Sequence, residues 1–179
     1  RVALSLAVPP GYATAIFPAA GVALAAVLLY GRWALPGVWL GSFLMNLWIG
    51  VDTGRALSFA MLPIPALIAS GALSQAWAGA WLMRRFVGFP GALDDERDIL
   101  KFIVLCGAGA SLIGASVGVT TLWYFGTVAS DRFISNWANW WLGDAIGVLI
   151  VVPVLLAFLA QPREQWRNRR FTLSVPLAI

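Results

Sequence analysis

Asn136-Trp-Ala-Asn-Trp-Trp-Leu-Gly-Asp144-Ala-Ile-Gly147, followed by an apolar run to Phe158, decides the fold. The run fits a membrane helix, since a span needs about 20 mostly apolar residues. Its beginning does not suit plain lipid. Asp144 lies inside it, behind the amides of Asn136 and Asn139 and the indoles of Trp137, Trp140 and Trp141. An ionisable side chain in a span is costly to keep and marks a functional site by default. Residues 136, 139, 140, 143, 144 and 147 recur at helical spacing and share one face. That face is too polar for lipid and should point into a bundle.

The rest of the chain agrees with this reading. It is 60% hydrophobic and 11% charged, with ten tryptophans, whereas a soluble domain carries about 25% charged residues. There is no histidine, and Cys106 is the one cysteine. Histidine-ligated haem, zinc and copper sites and an intrachain disulfide are thereby removed, and no cofactor or metal is expected. The net charge of +4 belongs to arginines flanking spans rather than to a nucleic-acid surface. No phosphate-binding loop or nucleophile–base pair appears, so this segment is expected to be non-enzymatic.

Working outward, apolar runs cover Tyr12 to Tyr30, Ala34 to Gly50, Ala56 to Met83, a fourth stretch opening at Asp94 to Glu96 and ending near Gly126, and Ser135 to Leu159. Pro63 and Pro65 are expected to break the third near its start, and Pro18 to break the first in its outer third. Both ends read as cut, within Arg1 to Val8 and after Phe171. The expectation is an all-α, polytopic transmembrane helical bundle of about five full spans plus partial spans at both ends, with residues 1–179 forming one integral membrane domain.

Arginine placement orients it. Arg32, then Arg84, Arg85, Arg97 and Lys101, then Arg163, Arg167, Arg169 and Arg170 fall on one side. The other side has Arg55, Arg132 and Arg1. The positive-inside rule makes the richer side cytoplasmic. Asp144 then lies two to three turns below the outer surface, and Gln75 falls in the inner half.

At the outer end this gathers Tyr12, Phe17, Pro18, Asn46, Trp123, Asn136, Asn139, Trp140 and Asp144. Two readings stand side by side. In one, these residues line a pocket for a small solute or cation, with indoles supplying cation–π contact and Asp144 the charge. In the other, the aromatics form the interfacial belt and the amides and Asp144 join helices. Small residues at Gly37 and Gly41, and at Gly107, Ser111, Gly114 and Gly118, suggest close helix packing or a homodimer contact.

Two stretches resemble a known family. Pro9-Pro-Gly-Tyr-Ala-Thr-Ala-Ile-Phe-Pro-Ala-Ala-Gly21 continues through Gly31-Arg32 and Pro36-Gly-Val-Trp-Leu-Gly-Ser-Phe-Leu-Met-Asn46; the second is Asn139-Trp-Trp-Leu-Gly-Asp-Ala-Ile-Gly-Val-Leu-Ile-Val-Val-Pro153. Together they look like the membrane-associated sensor domain of the first MASE class. The resemblance implies a bacterial inner-membrane module of about eight spans. It also implies a signal-input role upstream of a cytoplasmic output module in the same chain: a histidine kinase, diguanylate cyclase or cyclic-di-GMP phosphodiesterase. Phe17 stands where a tryptophan is common in the family. A small-molecule or ion stimulus is the expected partner besides the bilayer. A small-solute transporter and a scaffold for another membrane protein are the rival readings. A permease should show an inner gate and inverted repeats, and neither is visible.

Overall fold

Pro18 opens the first helix. In this computed structural model the described residues are 7–8, 13–14, 16–53, 59–89 and 95–159. Apart from β1 (Ala7–Val8) and β2 (Ala13–Thr14), which pair antiparallel, the regular structure among them is helical. The helices are α1 (Pro18–Tyr30), α2 (Leu35–Asp52), α3 (Pro63–Leu82), α4 (Glu96–Lys101), α5 (Ala110–Tyr124) and α6 (Phe133–Leu159). A 3₁₀ turn over Gly31–Ala34 joins α1 to α2, a π turn over Met83–Val87 extends α3, and a π segment over Phe102–Gly109 fuses α4 to α5.

The prolines correct the expected boundaries. Pro18 and Pro63 do not break helices; each is the first residue of one. Proline suits that position, because the missing N–H would have no intrahelical partner and its φ is already helical. The first helix therefore starts six residues after Tyr12, and the third starts at Pro63 rather than Ala56. Asp95 caps α4, its side chain accepting from the Arg97 N–H. Gly31 turns the chain after α1 at φ +66°, a region that disfavours side chains bearing a Cβ.

Contacts fix the directions. Phe17 N–H donates to Gly143 O at 3.0 Å, and Gly21 backs onto Gly147 and Val151, so α1 runs parallel to α6. Along α3 and α5, Gly71 meets Val117, Gln75 meets Gly114 and Gly79 meets Ala110, so these two are antiparallel. The pairs Gly118–Trp140, Gly114–Asp144 and Gly107–Leu149 set α6 antiparallel to the preceding helix. Trp39 Nε1 donates to Ser70 Oγ at 3.2 Å and Gly50 meets Met61, so α2 is antiparallel to α3. Two apolar clusters result. One joins Leu24, Val27, Leu28, Ala80, Met83, Phe102, Cys106 and Val152. The other joins Ile64, Ile68, Leu122 and Val128 against Trp140. Arg84 Nη2 donates to Val27 O (2.7 Å) and Leu28 O (3.2 Å), closing the carbonyl end of α1 with a cation, as the helix dipole favours.

Three helical stretches are long and apolar enough to cross a membrane: Pro18–Asp52, Glu96–Tyr124 and Ser130–Leu159. That is fewer than the five expected. By this measure α1, its turn and α2 count as one stretch, and α3 does not qualify, carrying Pro63, Pro65, Ser70, Ser74 and Gln75. Of the expected partial span over Arg1 to Val8, the described part, Ala7–Val8, is a strand and not helix; residues 1–6 and the span expected from Phe171 lie outside the described residues.

Candidate functional site: a cavity at Asp144

The two ends of the Gly31–Ala34 turn lead to different neighbours. The first helix packs on α6 and α3, the second on α3. They therefore part from each other, and a cavity of about 550 Å³ lies between them. Small residues make the room: Ala19, Ala20, Ala23 and Ala26 on one wall, Gly37 and Gly41 on the other. A Cβ added at Gly37 or Gly41 would meet nothing within 4 Å. These glycines thus face open space rather than the neighbouring helix their spacing suggested.

The floor is polar. Ile68, Gln75, Gly114, Trp140 and Asp144 form it. Asp144 is 3% exposed, and its Oδ1 has no hydrogen-bond partner among the described residues. Gln75 and Trp140 are the polar side chains beside the carboxyl group. Gln75 Nε2 also reaches Ser111 Oγ at 3.5 Å. Gly114 makes this crowding possible: a Cβ there would overlap Gln75 Oε1 and stand 3.1 Å from Asp144 Oδ2. Leaving a buried acceptor unpaired costs about 1–3 kcal/mol, more for a charged group.

A second close approach holds the wall in place. A Cβ on Gly147 would overlap Phe17 O, and one on Gly21 would overlap Gly147 O. These glycines let the start of α1 sit directly on α6, and Phe17 is thereby brought to the cavity rim.

The remaining candidates divide clearly. Phe17, Asn46, Trp140 and Asp144 line the cavity, although Asn46 Nδ2 turns back to Ser42 O at 2.9 Å. Asn136 is buried and donates to Arg132 O at 2.9 Å. Asn139 is half-buried and is not among the lining residues. Trp123 sits at the surface, donating to Ser130 Oγ at 3.0 Å and meeting Phe133 edge-on. Pro18 is exposed at the head of its helix. Tyr12 lies outside the described residues. Gly107 and Gly118 are closed over by Leu149 and Trp140, each within 2.8 Å of an added Cβ, and Ser111 is fully buried.

Gln75 and Gly114 were not read as parts of this site. A helix beginning at Ala56 would set Gln75 in the inner half of the bundle. Starting at Pro63 moves it outward by about 10 Å at 1.5 Å per residue, to the level of Asp144. The usable signal was an amide in the middle of an apolar run.

The architecture is that of a helical membrane domain built around one buried carboxylate. A family model, MASE1, matches residues 1–178, and the chain belongs to that family of membrane-associated sensory domains. MASE1 domains are sensory rather than catalytic. No curated protein and no solved structure matches the chain.

Proposed function

We propose that this domain is the signal-input unit of a bacterial inner-membrane signalling protein. A small stimulus binds at the Asp144 cavity and shifts the packing of α1 and α2 against the other helices. The change passes to a cytoplasmic output module in the same chain, a histidine kinase or a cyclic-di-GMP enzyme. A stimulus shifts such an equilibrium only through its different affinities for the two packings.

One observation carries the reading. Asp144 Oδ1 is buried and unpartnered beside an apolar cavity. A carboxylate retained only to join helices would be expected to spend both oxygens on them. In this reading the helices make five passes, and the end bearing Arg32, Arg84, Arg85, Arg97 and Lys101 is cytoplasmic. Phe17, Asn46, Trp140 and Asp144 touch the stimulus, with Gln75 orienting the carboxyl group. Asn136, Asn139 and Trp123 serve the outer ends of their helices.

The test is the output of the complete signalling chain in cells, followed across growth conditions. Asp144→Asn and Gln75→Leu should each flatten the response while the protein stays in the membrane. An undiminished response in both variants at normal abundance leaves Asp144 as interhelical glue and ends the sensory reading of this cavity.

A further inference from the structure

Whatever enters this cavity meets mostly alanine, glycine, valine and methionine, with Phe17, Ser42 and Asn46 on the walls and Gln75, Trp140 and the unpaired Asp144 oxygen on the floor. Among the described residues none closes the sides: Val22 is 50% exposed, and Gly37 and Gly41 are exposed on the facing helix. In a membrane those surroundings are lipid chains, not water. Depth matters next. Asp144 is eleven residues into a 27-residue helix, so it lies about 16 Å from one end and about 22 Å from the other. That is well inside a hydrocarbon core about 30 Å thick. A phospholipid headgroup anchored at the interface does not reach that level.

Resting on the sensory reading above, we infer that the site takes a lipid-soluble amphiphile from within the bilayer, entering sideways between α1 and α2. Its apolar body fills the alanine- and glycine-lined space. A single hydroxyl or amine donates to Asp144 Oδ1. The volume suits such a molecule, as small-ligand sites run about 300–1,000 Å³ and are mostly apolar with a few placed polar groups. The donor gives the selectivity: a site with an unpaired buried acceptor rejects an analogue that cannot pair it.

The test uses the complete chain in phosphatidylcholine proteoliposomes, a photoreactive diazirine-bearing decanol, and its methyl ether as the probe lacking a donor. The alcohol should label residues of the facing walls, Val22 and Met45 among them, about tenfold more strongly than the ether at equal membrane concentration. Gly41→Leu, which fills open space without a clash, should abolish labelling. Asp144→Leu, which removes the acceptor, should erase most of the preference for the alcohol. Exchanging phosphatidylcholine for phosphatidylethanolamine should not protect. Equal labelling by both probes, labelling indifferent to Gly41→Leu, or protection by phosphatidylethanolamine overturns the inference. So does an absence of labelling, which would mean that protein closes the cleft. Signalling output, read separately, distinguishes the two failures. Labelling without any effect of Asp144→Asn on output defeats the sensory role but not the binding. An output that needs Asp144 without labelling defeats the ligand class alone.

Discussion

Asp144 is held in an unfavourable setting, and its replacements should show it. Removing a charge-bearing group that lacks a full set of partners is often neutral or stabilising, whereas stranding one is not. Asp144→Asn keeps the shape and removes the ionisable group, so detergent-purified protein should unfold at a higher temperature, with a gain of about 1 kcal/mol. A loss of stability would show that the carboxylate serves the fold rather than a ligand. The glycines give the opposite contrast. Gly147→Ala pushes a methyl into Phe17 O and Gly21→Ala pushes one into Gly147 O, so each should destabilise by about 1–3 kcal/mol through overpacking. Gly41→Ala meets open space and should stay within about 0.5 kcal/mol of the parent in the same thermal assay. Spacing alone makes Gly41 and Gly114 look alike; only their surroundings separate them.

Among the elements, the π segment over Phe102–Gly109 is the least expected. Nothing in Phe-Ile-Val-Leu-Cys-Gly-Ala-Gly announces it. A π turn shifts the backbone ladder by one residue and is a frequent companion of functional sites. Here the Ala108 carbonyl accepts from Trp141 Nε1 at 2.8 Å, tying the segment to α6 one residue beyond Trp140. Trp141→Phe keeps the ring and loses that bond. It should cost about 0.6 kcal/mol, the usual worth of a polar contact between membrane helices, and hydrogen exchange at residues 102–109 should speed up relative to α3. Exchange left as it was would mean that the segment holds its register without the indole. Trp137 stacks on Trp141 with ring centres 6.1 Å apart and donates to Ser116 Oγ at 3.1 Å, so two of the clustered tryptophans bind helices to each other while Trp140 faces the cavity.

For the molecule as a whole, the arginine bias makes a statement about sides that the helix contacts can carry through the bundle. The end where α1 and α3 finish holds Arg84 on the last carbonyls of α1; the other end holds Ser130 and Asp131 in the turn before α6. A cysteine at Ser130 should react with a membrane-impermeant maleimide added outside spheroplasts, and one at Arg32 only after lysis. Cys106 is fully buried and should stay silent in both. Labelling at Arg32 from outside would invert the orientation and move the cavity mouth with it.

Composition and periodicity were enough to establish a helical membrane domain, the polar face of its last described helix and the prominence of Asp144, because bilayer thickness and helical pitch act on the chain locally and leave their mark in its order. The helix starts are not legible from proline alone; whether it breaks a helix or opens one depends on whether a helix already exists before it, and that is settled by neighbours. The cavity itself was beyond local reading. It exists because α1 leans on α6 through Gly21 and Gly147 while α2 leans on α3, and the gap between two such commitments is a property of the packed bundle. Gln75, Gly114 and Asp144 meet there from three separate helices, a convergence over nearly 70 residues of chain that no spacing rule expresses.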